Sequence, residues 1–275
     1  MRNHTSLLSR AHLGGVVGAL IGTLGGLIGL GGAEFRLPVL VGLFRLPTLK
    51  AVVLNKAMSL VVVASALVFR ASTIAPPQVL AHLDVVLNLL AGSLVGAWWA
   101  AGHVMRMPRQ QLDRIIMLML AALALVILGE AWGGMQASTQ PLLESGLMRW
   151  LAGAVAGLGI GMVAALLGVA GGELLIPTIV LLYGLDIKLA GSLSLVVSLP
   201  TMIVGFARYR SSDAFTVIHE ERPLFWWMVA GSLLGAGVGG LLLGHVPTRL
   251  LLAGLGLILL VSAFKTFQHS RQSAA

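Results

Sequence analysis

Among the charges inside apolar runs of this 275-residue chain, three stand out: Glu34, Glu173 and Lys56. Placing a Lys or Asp near the middle of a bilayer costs about 2.5–3.5 kcal/mol on insertion scales, so such groups face a cavity or a partner. Each glutamate follows a glycine cluster and stands four residues before a proline, Pro38 or Pro177. There the pair can line a pathway and carry protons, or satisfy the free amides and positive dipole end of their own helices; the two roles are compatible. Lys56, within Leu54-Asn55-Lys56-Ala57-Met58-Ser59, either pairs with an anion or Glu34, or snorkels to the cytoplasmic interface. Asn55 and Ser59, like Ser194 and Ser198, are spaced i, i+4 on one helix face. They suit donation to an oxyanion, or polar packing between helices.

Other chemistries lack their residues. With no cysteine there is no disulfide, thiolate site or cysteine nucleophile, and the redox compartment is left open. HExxH, P-loop and GxSxG motifs are missing, and Gly159-Ile160-Gly161-Met162-Val163-Ala164 fits a loose GxGxxA only inside an apolar run with no preceding strand. The seven histidines are scattered at segment ends without ligand spacing. No catalytic residue, metal or cofactor is expected.

The elements that position these groups must be membrane helices. Hydrophobic residues make up 57% of the chain and charged ones 10%, with 35 glycines besides; mean hydropathy is +0.96. A soluble fold could not hide that much apolar surface, and the long continuous runs are unlike the ten-residue alternation of a membrane β-barrel. The chain carries 18 basic and 10 acidic residues, a net charge of +8. Its basic residues stand singly between apolar runs, as in loops flanking membrane helices, rather than clustering as a nucleic-acid surface would.

An internal repeat organises the helices. At an offset of 139 residues, positions 13–112 align without a gap to the second half. Gly14, Gly18, Gly22, Gly29 and Gly32 fall on Gly153, Gly157, Gly161, Gly168 and Gly171. Glu34 falls on Glu173, Pro38 on Pro177, Ser59 on Ser198, Gly92-Ser93 on Gly231-Ser232, Gly96 on Gly235 and Pro108 on Pro247. Resemblance among glycine-rich helices explains some glycine pairs, but not the glutamates together with both proline pairs. Residues 1–33 have the look of a signal peptide, yet 152–171 repeat the pattern in mid-chain, so the first segment is read as a retained helix. Lys56 and Arg36 break the symmetry, matching Leu195 and Leu175.

Apolar segments are read at 13–31, 35–45, 50–69, 84–104 and 112–131, then at 151–170, 174–184, 188–207, 223–243 and 249–267. A full span needs about 20 residues, so 35–45 and 174–184 are expected to be half-helices starting inside the membrane after a glycine break. Such backbone is tolerated only where protein or a water-filled cavity covers it. Five passes per half with a cytoplasmic N-terminus put Arg2, Arg10, Arg45, Lys50, Arg106, Arg109, Arg208, Arg210, Arg222, Lys265 and Arg271 inside, consistent with positive-inside loops. An odd number of passes makes the repeats inverted. The expected fold is an all-α polytopic membrane protein with two inverted repeats. Each has a glycine-broken helix, a short half-helix and three further spans. The division is 1–132, an extracytoplasmic linker 133–149, and 150–275. Gly14-x₃-Gly18-x₃-Gly22, its copy, and Gly231-x₃-Gly235-x₃-Gly239 are close-packing faces; Trp98, Trp99, Trp226 and Trp227 read as interface anchors or lipid-facing bulk.

Two converging half-helix N-termini form an anion site of unpaired amides and positive dipole ends. The candidate binding residues are Gly31, Gly32, Ala33, Glu34, Asn55, Lys56 and Ser59 in the first repeat, and Gly171, Gly172, Glu173, Ser194 and Ser198 in the second. Glu34 and Glu173 are the candidate proton carriers.

Gly25-Gly26-Leu27-Ile28-Gly29-Leu30-Gly31-Gly32 with Pro38, repeated as Gly168-Val169-Ala170-Gly171-Gly172 with Pro177, resembles the sulfite exporter TauE/SafE family of membrane transporters. Gly92-Ser93-x₂-Gly96 leading to Pro108, and its mate leading to Pro247, are similar to the later part of that family's repeat. The resemblance implies a bacterial inner-membrane permease for small sulfur-containing anions such as sulfite or sulfoacetate-like organosulfonates. Glu at 34 and 173 departs from the family's commonest pattern. The expected partners are a small anionic substrate and the lipid bilayer, with a homodimer as an open assembly state and no nucleic acid. The alternatives are a cation-coupled carrier or channel in which the glutamates hold the cation, an intramembrane enzyme, and a non-transport assembly subunit.

Overall fold

The structure, a computed structural model, describes residues 4–28, 32–71, 76–133, 141–144 and 146–242, with 253, 254, 256, 257, 260 and 261. The helices are α1 (His4–Ile28), α2 (Ala33–Gly42), α3 (Thr48–Ala71), α4 (Pro76–Leu80), α5 (Leu83–Val104), α6 (Arg109–Gly133), α7 (Leu147–Leu167), α8 (Gly172–Tyr183), α9 (Ile187–Tyr209), α10 (Val217–Glu220) and α11 (Arg222–Leu241), with a 3-10 turn at Asp213–Thr216. No strand occurs among the described residues. A helix bonds its own backbone groups, which hydrocarbon requires. Among the described residues, five helices are long and apolar enough to cross a membrane, within α3, α5, α6, α7 and α9, and α8 is a shorter apolar helix. Val16, Val95, Leu118, Val155 and Leu234 are exposed on the outside, as lipid-facing side chains are. This is a multi-pass helical membrane protein. Arg2, residues 29–31, linker residues 134–140 and 145, Pro247 and most of the expected segment 249–267, with Lys265 and Arg271, lie outside the described residues.

The short segments 35–45 and 174–184 are the half-helices α2 and α8. The helix α7 ends where Gly168 takes a left-handed conformation, φ 66°, with its N–H on the carbonyl of Ala164. Gly171, φ 78°, and Gly32, φ 69°, hold the same conformation immediately before α8 and α2. Glycine adopts it without the strain an L side chain would suffer.

The half-helices then turn back along the helices before them. Gly32 packs on Ile21 in the middle of α1, and its repeat mate Gly171 packs on Ile160 of α7. At its far end α2 leads back to the start of α1, where Arg10 Nη2 donates to the carbonyl of Phe44 at 3.2 Å. Likewise α8 ends beside the start of α7, with the Arg149 guanidinium 5.6 Å from the Tyr183 ring and Gly153 against the Tyr183 hydroxyl. Each half-helix therefore begins at mid-depth and returns to the end its long helix came from. The short segments thus re-enter, which corrects the count of five passes per half that has each of them complete a crossing.

The long helices of the two halves interlock: α1 packs along α11, and α5 along α7. A Cβ on Gly18, Gly22, Gly231 or Gly235 would overlap backbone of Met228, Ser232, Gly15 or Ala19 respectively. On the other pair, Gly157, Gly161, Gly92 and Gly96 abut backbone of Leu89, Ser93, Ala154 and Leu158. Adding or subtracting 139 converts each contact of the first set into one of the second. The stripes of small residues thus let backbones touch, the arrangement that drives helix association when lipid competes equally for apolar side chains.

One end of the bundle gathers polar contacts. Arg10 lies 3.6 Å from Glu221, and Lys50 donates to Glu220 at 2.6 Å. Thr48 bonds Asp113, which also lies 3.9 Å from Arg109, and Ser211 touches Met105 at 3.8 Å. We call this the first end. The second end holds the starts of α7 and α9 and the close of α8, where Leu142 N–H donates to the Leu181 carbonyl at 2.9 Å.

Candidate functional site

Running in from opposite ends, α2 and α8 aim their N-terminal turns at the middle of the bundle. Glu34 and Glu173, each in its half-helix's first turn, meet there and interact. Both are buried, at 0% and 7% exposure. Neither Glu34 oxygen has a hydrogen-bond partner, nor has Oε1 of Glu173. Pro38 and Pro177 act on the same two residues. A helical carbonyl accepts from the N–H four positions on, and proline has none. Each proline so removes the donor that would close on the carbonyl of Glu34 or Glu173.

Against these turns lie α3 and α9. Asn55 is fully buried and its Nδ2 donates twice, to the carbonyl of Ala33 at 2.9 Å and to that of Leu167 at 3.1 Å. One amide therefore ties the start of α2 to the end of α7, across the two halves. One turn along α3, Ser59 accepts from Arg36 Nη2 at 3.1 Å. On α9, Ser194 faces Gly172 and donates to the carbonyl of Gly191 at 2.9 Å, while Ser198, one turn on, is buried with no partner for its hydroxyl. Gly32, Ala33, Glu34, Asn55, Ser59, Gly171, Gly172, Glu173, Ser194 and Ser198 thus surround the two converging turns. Gly31 lies outside the described residues.

Lys56 neither snorkels nor meets Glu34. It is fully buried, which rules out snorkelling, and no carboxylate pairs with it among the described residues. Its Nζ donates to the carbonyl of Ala164 at 3.1 Å, in the last turn of α7. A cation at a helix C-terminus meets the negative end of the dipole. Tyr209 adds to the same turn, donating to the carbonyl of Ala165 at 3.0 Å.

Arg36 is the residue the sequence reading undervalued. It is 1% exposed, yet its Nε and Nη1 have no hydrogen-bond partner. It stands two residues from Glu34, but no ion pair forms between them within 4 Å. Buried polar groups in folded proteins are almost always bonded, so free guanidinium donors beside two helix N-termini mark a place suited to an anion. The signal was an arginine within an apolar segment; comparison with Leu175 in the other repeat drew attention away from it.

Taken together, the centre of the bundle holds two carboxyls, one arginine with unused donors, an unpaired serine hydroxyl and two dipole ends. Such a set can bind a small oxyanion and exchange protons. The sequence model described as Sulfite exporter TauE/SafE matches residues 2–127 and 153–275. No curated protein and no solved structure matches the chain. Because that family match takes in both glycine breaks, both half-helices and the interlocked long helices, the protein belongs to the sulfite exporter TauE/SafE family of membrane transporters.

Proposed function

We propose that the protein is a secondary transporter of small sulfur-containing anions, sulfite or organosulfonates of the sulfoacetate type, coupled to protons through Glu34 and Glu173. The observation that carries the reading is the meeting of the α2 and α8 N-terminal turns, with Glu34 against Glu173 and Arg36 holding unused donors beside them. An oxyanion takes its charge complement from Arg36 and the dipole ends, and its hydrogen bonds from free amides, Ser59 and Ser198, with Ser194 joining once its hydroxyl leaves the Gly191 carbonyl. The two glutamates take up and release protons as that charge arrives and leaves.

The halves act as inverted repeats about this site. The exchange of packing partners under the 139-residue offset supports a pseudo-two-fold relation, and the polar first end supports a cytoplasmic assignment for both termini in a bacterial inner membrane. Alternating access is then a rocking of one interlocked pair against the other, opening the site to the two ends in turn.

Proteoliposome transport of sulfite and sulfoacetate under an imposed pH gradient tests this. Wild-type protein is expected to move one of the anions faster with the gradient, and Glu34→Gln and Glu173→Gln each to remove that dependence. Unchanged rate and pH dependence in both variants overturns proton coupling; no movement of any sulfur oxyanion by wild type overturns the substrate class. A second reading rests on the two proline-freed carbonyls. With the carboxylates they offer an all-oxygen set of the kind hard cations prefer. Transport that requires sodium at constant pH selects it.

A further inference from the structure

We propose a second site, for the phosphate headgroup of an anionic phospholipid, at the first end between α5 and α9. A cavity of about 160 Å³ there is lined by Trp98, Trp99, Gly102, His103, Arg106 and Arg208. It lies away from Glu34 and Glu173, near the ends of α5 and α9 rather than at mid-depth. Gly102 leaves room for the Arg208 guanidinium, whose nitrogens lie 3.4 Å from where a Cβ would stand. That guanidinium sits 4.7 Å from the Trp98 ring centre, in cation–π range. Its Nε is buried without a hydrogen-bond partner. Arg106 is exposed at the mouth, and among the described residues no carboxylate pairs with either arginine. His103 stacks on Trp99 with ring centres 4.0 Å apart and directs Nδ1 to the Trp99 carbonyl, so its other ring nitrogen is turned away from that bond.

The surroundings select a lipid over a soluble anion. Trp98 and Trp99 are about half exposed, as are Trp226 and Trp227 near the start of α11 at the same end. A belt of half-exposed tryptophans marks headgroup depth. Beside it, two arginines without acidic partners form a basic pocket between membrane helices, the arrangement that recognises anionic headgroups. The second half has no copy: the repeat mates of Trp98, Trp99, Gly102 and His103 are Gly237, Val238, Leu241 and Leu242. The site therefore belongs to one leaflet only.

Lipid binding to the purified full chain in neutral detergent tests this, by native mass spectrometry and by thermal unfolding. The probes are phosphatidylglycerol, phosphatidylcholine and inorganic phosphate. Phosphatidylglycerol is expected to bind and raise the unfolding midpoint while the other two leave it unmoved. Arg106→Gln and Arg208→Gln should each weaken binding roughly fivefold. Arg106 is exposed, so its variant keeps the test open if Arg208→Gln folds poorly. Gly102→Leu fills the cavity with both charges intact and should also weaken binding. Equal binding of phosphatidylcholine, or phosphatidylglycerol binding untouched by Arg106→Gln and Gly102→Leu, overturns the proposal. An equal effect of inorganic phosphate overturns the lipid assignment and leaves a free-anion site.

Discussion

Lys56, on the third helix of the first half, donates its ammonium to the backbone carbonyl of Ala164, 108 residues away at the close of α7. The last four carbonyls of a helix have no partner within it, and a buried break cannot leave them to water. Here the Gly168 N–H already caps Ala164, and side chains add donors: Lys56 and Asn55 of the other half to Ala164 and Leu167, and Tyr209 of α9 in the same half to Ala165. The broken helix of one repeat is thus finished by the intact helix of the other.

Asn55→Ala should consequently destabilise the protein. Two buried carbonyls, Ala33 and Leu167, lose a donor together, at about 1–3 kcal/mol for each unsatisfied group. Chemical or thermal unfolding in detergent measures it. An unfolding midpoint equal to wild type would show that the amide does not hold the two breaks together.

The glycine stripes permit a sharper contrast. A Cβ on Gly161 would overlap the backbone of Ser93, whereas one on Gly159, two residues earlier on the same helix, meets nothing within 4 Å. Gly161→Ala must force α5 and α7 apart, and a loss above about 4 kcal/mol, or failure to accumulate folded protein, is expected. Gly22→Ala against Ser232 should do the same between α1 and α11. Gly159→Ala should be neutral or gain about 0.5–1 kcal/mol from helix propensity. If the alanines at 159 and 161 behave alike in yield and unfolding midpoint, backbone contact at the stripe is not what joins these helices.

Sequence alone located the helices well and the connections between them poorly. Segment lengths marked 35–45 and 174–184 as too short to span, and α2 and α8 stand there, because apolar run length is a local property. Their return toward the starts of α1 and α7 rests on contacts such as Arg10 with Phe44 and Arg149 with Tyr183; no periodicity in one segment encodes it. The matched glutamates were legible because rare residues at one offset stand out. Lys56 was legible as a charge but its partner was not, since that partner is a backbone carbonyl, and every residue has one. Arg36 was visible as a charge in an apolar run, but a repeat comparison weights what the halves share, and Arg36 is what they do not share.

Arg36 can be separated from a structural role by what it lacks. An arginine retained for stability would use its donors, yet Nε and Nη1 are unpartnered and Ser59 is its one hydrogen-bonded neighbour among the described residues. Arg36→Gln should leave the midpoint of the ligand-free protein unchanged or raise it, as replacing a poorly paired buried charge often does. The same variant should weaken sulfite or sulfonate binding, read by ligand-induced thermal shift, by about tenfold or more, the loss expected for a charge-assisted hydrogen bond of about 1.5–3 kcal/mol. Ser59→Ala, which removes the guanidinium's anchor and one hydroxyl donor, should cost a few-fold. Anion binding retained at wild-type strength in Arg36→Gln would assign the charge complement to the dipole ends alone.

Inverted repeats make a prediction that parallel repeats cannot share: mates in the two halves face opposite sides of the membrane. Pro47 and Asp186 are such mates, both exposed, one leading into α3 and the other capping α9. The chain has no cysteine, so single replacements Pro47→Cys and Asp186→Cys report without background. A membrane-impermeant maleimide applied to intact cells should label the cysteine at 186, and that at 47 only after permeabilisation, because Pro47 lies between Arg45 and Lys50 at the basic end. Loss of the Asp186 bond to the Lys188 amide costs about 1 kcal/mol. Leu142, exposed and bonded through its backbone to Leu181 at the same end, provides a second position with no cap to lose. Labelling of 47 and 186 from the same side would make the repeats parallel. Reversed labelling would keep the inversion and turn the protein over in the bilayer.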